Sequence, residues 1–111
     1  MFSKMKLPDG SVWNKCDATE TDNGFQCEGV TFENSCGSND SWEVYKSNSG
    51  DLVAIVTWFP LYEYVGGTLY NSSGESLAEF FVQDESAESF FKLSRANMVK
   101  QVVYMLHEIC P

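Results

Sequence analysis

Basic side chains are scarce in this sequence: seven lysines and arginines stand against 16 aspartates and glutamates, a formal net charge of −9 over 111 residues. A surface so short of positive charge cannot release counterions from a phosphate backbone, which excludes nucleic-acid binding and disfavours an anionic membrane surface. No apolar stretch approaches the roughly 18 residues a membrane helix requires; the longest, Leu52 to Val56, soon meets Thr57 and Pro60. Histidine occurs once, as His107, and the four cysteines, Cys16, Cys27, Cys36 and Cys110, include no C-x-x-C pair. The paired spacing that holds tetrahedral zinc is therefore missing. Glycine-rich phosphate loops and nucleophile elbows are missing as well, and no stretch matches a known family motif. No cofactor and no metal are expected.

What is present is apolar area. A composition 43% hydrophobic and 14% aromatic supplies a core for one domain spanning residues 1–111 and argues against disorder. Lys4 and Lys6 are followed by the turn Pro8-Asp9-Gly10 rather than an apolar run, so the sequence has no leader pattern. A cytoplasmic location with reduced cysteines is expected, whereas a leader removed upstream would make an exported protein with disulfides the expectation. Three of the four cysteines fall in the turn-rich first third, which would gain most from a cross-link. The pairing stays open, and Cys27 and Cys110 equally suit small buried apolar positions.

Residues 11–15 read as a short strand and 16–24 as loop. Residues 25–32 read as one strand with a bulge at Gly29, and 34–40 as loop. Trp42 to Lys46 and Leu52 to Phe59 form a hairpin about the turn residues 47–51; the second strand is β-branched and aromatic enough to be central, covered on both faces. Pro60 ends it for want of an amide donor, 61–65 resumes an extended pattern, and Gly66-Gly67 reads as a turn or a strand-bending pair. Thr68 to Tyr70 and Leu77 to Val82 flank the polar loop 71–76. At 100° per residue Val99, Val102, Val103, Leu106, Ile109 and Cys110 share one face, which predicts a helix capped by Ser94 and ending at Ile109, with 86–93 a separate segment. These elements predict an α+β fold: a curved antiparallel sheet of five or six strands built from hairpins, covered on one face by the C-terminal helix. A small β-barrel with a peripheral helix is the alternative.

Residues 16–45 carry seven carboxylates and no basic residue, so their field is not neutralised locally and would speed encounter with a cationic partner. Asp17, Glu20 and Asp22 do not fit an EF-hand loop when Gly24 takes the sixth position. His107, one turn from Cys110, reads as a helix-end histidine interacting with the dipole rather than as a catalytic group. Glu43, Glu63 and Glu79 sit in strands, where outward-facing positions explain them without chemistry.

Aromatic residues crowd the two hairpins, and one helix covers only one sheet face. The surplus either thickens the core, lines a cavity, or forms a patch that pairs with a second chain. The leading expectation is a small acidic, non-enzymatic interaction protein of the inhibitor, immunity or accessory type. It self-associates as a homo-oligomer and binds a more basic protein partner through Asp17, Glu20 and Asp22, with Trp42 and Trp58 as anchors. The alternative is a small-molecule-binding domain, an enzyme in one version, whose aromatic cavity lies between sheet and helix and is lined by Trp58, Tyr62, Glu63, Tyr64, Phe81, Met98 and Val102.

Overall fold

The computed structural model describes residues 4–22, 24–33 and 41–110. Within them the strands are β1 (Lys4–Lys6), β2 (Val12–Cys16), β3 (Thr19–Glu20), β4 (Gly24–Cys27), β5 (Val30–Glu33), β6 (Ser41–Ser47), β7 (Leu52–Phe59), β8 (Tyr64–Asn71) and β9 (Ser76–Gln83). A single helical turn, α1 (Glu88–Phe91), precedes the main helix, α2 (Arg95–Ile109). Six strands form one antiparallel sheet in the order β1-β2-β6-β7-β8-β9, with α2 packed on one face. The fold is therefore α+β. The sheet is open, with β1 and β9 as its edges, so the barrel alternative does not apply.

Strand β7 is central, and Val53 to Trp58 are all buried. Because successive side chains leave a strand on opposite faces, Ala54, Val56 and Trp58 meet the helix while Val53 and Ile55 point the other way. On the helix side they join Trp13, Val65, Leu69, Met98, Val99, Val102, Val103 and Leu106 in one core. On the far side a second sheet, β3-β4-β5, brings Phe25, Cys27 and Phe32 against Val44, Val53, Ile55 and Tyr70. The sequence expectation had no such layer. It houses part of the aromatic surplus: Phe25 lies 4.5 Å from Trp42 and Phe32 lies 5.2 Å from Tyr70, centroid to centroid.

This small sheet corrects the reading of 25–32 as one bulged strand. Gly29 is a turn residue: β4 and β5 form a hairpin in which Cys27 pairs with Val30, and Glu28 and Gly29 between them have φ of 52° and 82°. Two positive φ values in a two-residue loop are what the right-handed strand twist favours. Three contacts fasten the hairpin to the main sheet: the Lys46–Glu28 ion pair, a hydrogen bond from the Tyr70 hydroxyl to the Glu33 carbonyl, and the β8–β9 loop, whose Gly74 comes close to the Thr31 carbonyl. The segment 16–24, expected as loop, contributes β3, and β1 is an added strand. The loop expected over 34–40, with Cys36, lies outside the described residues.

Gly66-Gly67 neither turns nor bends the chain; both lie inside β8, pairing with Thr57 and Val56 on one side and Phe81 and Phe80 on the other. Their role is close approach. A Cβ on Gly67 would lie 2.6 Å from the Ile55 carbonyl oxygen, 3.1 Å from Leu106 and 3.2 Å from Val102, so this glycine lets α2 settle on the sheet. Residues 61–65 also depart from the extended expectation, because Pro60–Tyr62 is one turn of 3-10 helix. The helix start is as expected: the Ser94 side chain accepts a hydrogen bond from the Asn97 amide, as an N-cap should. Ile109 falls on the apolar arc, yet as the last helical residue it is 49% exposed.

The helix is also held at its far end. The Trp13 indole donates to the Ser11 hydroxyl, which donates to Asp9 Oδ1 at 2.6 Å, and Asp9 Oδ2 lies 2.8 Å from His107 Nδ1. The His107 ring stands edge-on to Trp13 at 5.6 Å. The Ser11 hydroxyl and then its amide hold the Asp9 carboxyl below its ordinary value; burial opposes them, and His107 adds a smaller lowering.

Two outcomes follow from this packing. Gly67→Ala should lower the unfolding free energy by about 1–3 kcal/mol through overpacking, seen as a lower urea midpoint at unchanged slope; an unchanged midpoint would mean the helix does not depend on that gap. Because the folded Asp9 pKa lies below the unfolded value, its stabilisation is present above about pH 4 and is lost as pH falls through the folded value. Asp9→Asn should therefore flatten the acid limb of the stability–pH curve, and an acid limb identical to that of the parent protein would remove Asp9 from this role.

Candidate functional site

In an antiparallel sheet the ends of β7 and β9 and the start of β8 lie together. Here that rim is built by two irregular corners. Pro60 cannot extend the β7 ladder, so the chain makes its 3-10 turn and leaves it at Glu63, whose φ is 48° and whose amide donates to the Pro60 carbonyl at 3.1 Å. After β9 the chain turns at Asp84, with φ 58°. The Asp84 amide donates to the Glu63 carbonyl at 2.8 Å and joins the corners. Left-handed φ at a non-glycine residue costs about 1 kcal/mol, so this rim carries two acidic residues in backbone positions that glycine would adopt more readily.

Between the corners is an open depression of about 470 Å³ lined by Pro60, Glu63, Asp84, Glu88, Phe91 and Lys92. That volume lies within the range of ligand sites. Its lining carries three carboxylates and one ammonium, that of Lys92, a net negative charge that, with an aromatic ring and a proline for apolar contact, suits a cation carried on a hydrocarbon stem. Among the described residues no group of three or more histidine, cysteine, aspartate or glutamate side chains is arranged to hold a metal ion.

Beside this rim, on the face away from the helix, three rings run across adjacent strands. Phe59 lies 5.6 Å from Tyr64, and Tyr64 stacks on Phe81 at 5.8 Å with 17° between planes. Phe81 is 60% exposed, and Leu61 and Tyr62 on the neighbouring turn are 91% and 71% exposed. Glycine at 66 makes room for the Phe81 backbone and Cβ, which a Cβ at that position would meet at under 3 Å. The crevice next to the strip, between Thr57, Thr68 and Glu79, holds only about 10 Å³, room for about one water.

The residues expected to act together are distributed over the molecule. Asp17, Glu20 and Asp22 are exposed along the connection from β2 through β3 to β4. Trp42 is half-buried against Phe25, on the side of the second core. Trp58 is 4% exposed on the helix side, with the Arg95 guanidinium 5.4 Å from its ring centre, and so presents no surface anchor. Of the cavity set, Met98 and Val102 are buried with Trp58 in the helix-side core, Tyr64 and Phe81 lie on the opposite sheet face, and Tyr62 and Glu63 are on the rim. The structure does not bring these seven around one space. Glu63 alone of them lines the 470 Å³ depression.

Asp84, Glu88, Phe91 and Lys92 escaped the sequence reading. The usable signal was topological: strands two apart in a meander end on the same rim, so the corners after Phe59 and Gln83 had to meet. Comparison of the chain with known protein families, with curated proteins and with solved structures gives no match. No helix among the described residues is long and apolar enough to cross a membrane.

Proposed function

We propose that this chain is a non-enzymatic interaction protein that binds a more basic protein partner at the rim between β7 and β9. The observation that carries the reading is the depression lined by Glu63, Asp84 and Glu88, whose three negative charges outnumber the one positive charge of Lys92. A lysine or arginine side chain of the partner enters it, its stem against Phe91 and Pro60 and its charge among the carboxylates. Asp17, Glu20 and Asp22, unneutralised along the small sheet, add to the field that draws the partner in and act on encounter more than on the final contact.

Self-association uses the aromatic strip. Phe81, exposed, is on β9, and Tyr64, half-exposed, is on the neighbouring β8; β9 is an edge strand that has one acidic residue, Glu79, and no basic one in its length. A second copy of a chain with net charge −9 is repelled least where charge is sparse and apolar rings are available.

A fluorescent oligo-arginine peptide tests the first part by anisotropy. Glu63→Gln, Asp84→Asn and Glu88→Gln together should weaken binding roughly tenfold or more, and raising salt from about 50 to about 300 mM should weaken it further. Equal affinity for the triple variant, or indifference to salt, would sink the assignment. Sedimentation of the parent protein and of Phe81→Ser tests the second part: a dimer that dissociates in the variant is expected, and a parent that stays monomeric at high concentration would end it.

A further inference from the structure

Two of the cysteines meet across the second core. Cys16 ends β2 and pairs with Val44 of β6, so its side chain lies on the face away from the helix and packs against the cluster that contains Val44 and Cys27. Cys27 is the buried inward residue at the end of β4, opposite Val30. Cys16 is half-buried and Cys27 is buried; both are free thiols, and each belongs to a different sheet. Cys16 stands where the chain leaves the main sheet and Cys27 ends the middle strand of the small one, so a link between them would join the two sheets across β3 and β4.

We infer that Cys16 and Cys27 form an oxidation site whose product is an intrachain disulfide stapling the small sheet to the large one. The oxidant is a small-molecule disulfide. The thiolate of Cys16, the more accessible of the two, attacks one sulfur of that reagent; a mixed disulfide forms and one reagent thiolate leaves, taking up a proton. The Cys27 thiolate then attacks the Cys16 sulfur, the protein S–S bond forms, and the second reagent thiolate leaves. Two cysteine thiols are oxidised by two electrons, and one reagent disulfide is reduced to two thiols.

The neighbourhood sets when this occurs. Burial, and then the adjacent Cys27 thiol, push the Cys16 thiol up to about 12, with Glu28 adding to the rise and Lys46 opposing it. A thiol so disposed is a poor nucleophile at neutral pH. Attack is therefore slow in the folded protein and faster while the chain is folding, before the small sheet docks and buries the Cys16 thiol. Once made, the link resists reduction while the core around it is closed, because the entering thiol must reach buried sulfur.

The test refolds the reduced full-length chain in a buffer of reduced and oxidised glutathione, blocks remaining thiols by alkylation and maps the peptides. No lysine or arginine lies between Cys16 and Tyr45, so trypsin would leave Cys16, Cys27 and Cys36 on one fragment. Cleavage after glutamate puts them on the separate fragments 1–20, 21–28 and 34–43. A linked pair of 1–20 and 21–28 with Cys110 alkylated is expected, together with a higher melting temperature than the reduced protein and return to the lower value on adding reductant. Refolding should give the linked form at least tenfold faster than the same buffer acting on the already folded protein. Alkylation of both cysteines after refolding, a link from either to Cys36 or Cys110, or a linked form that melts lower than the reduced one would each overturn the assignment. Cys110→Ser should leave the linked species unchanged, and since the mapping is done on the parent chain the result does not rest on any variant folding.

Discussion

A strand buried on both faces needs a layer on each side, and β7 imposes that requirement on the rest of the chain. Its backbone groups are satisfied in the plane of the sheet by β6 and β8, but side chains above and below must be covered by something apolar. One cover is α2, brought close by glycine at 67. The other is the three-stranded sheet, held by aromatic packing, the Lys46–Glu28 ion pair, the Tyr70 hydroxyl and the close approach of Gly74 to the Thr31 carbonyl. Residues 19–33, poor in regular pattern, thus cover a core whose floor is the main sheet.

Where the local pattern and the tertiary structure ask for the same thing, the sequence was readable. Leu52 to Phe59 could hardly be other than a central strand, and Ser94 had both the side chain and the position to begin the helix. Where a residue's role comes from a distant neighbour, the pattern misled. Glu28 does not advertise a left-handed turn, so 25–32 read as one strand. Gly66-Gly67 looked like punctuation because the helix residues that need the gap, Val102 and Leu106, lie more than thirty residues onward. The rim is the extreme case. Glu63 was noticed for its strand-like setting and Glu88 was not singled out, since only the order of the strands makes them neighbours.

The electrostatics of the surface are more one-sided than composition implies. Lys15 pairs with Glu43 at 3.3 Å, Lys46 with Glu28, and Arg95 sits over Trp58. Three of the seven basic side chains are thereby occupied at home, each in a place where it ties a strand or the helix start to its neighbour. Most of the acidic excess has no such employment. Asp17, Glu20, Asp22, Glu33, Asp51 and Glu75 are all exposed. Intramolecular pairing therefore sharpens the negative field instead of averaging it away.

The clasp between Asp9 and His107 spans 98 positions of the chain. Trp13 completes its burial only when the last turns of α2 arrive, so this segment must wait for a distant one. During folding the β1–β2 hairpin can keep the local bonds among Asp9, Ser11 and Trp13, whereas the contacts of Asp9 and Trp13 with His107 wait for the distant helix. Closure of this fold is therefore a long-range event: Asp9 and Trp13 reach their final surroundings only when the helix segment carrying His107 packs against them.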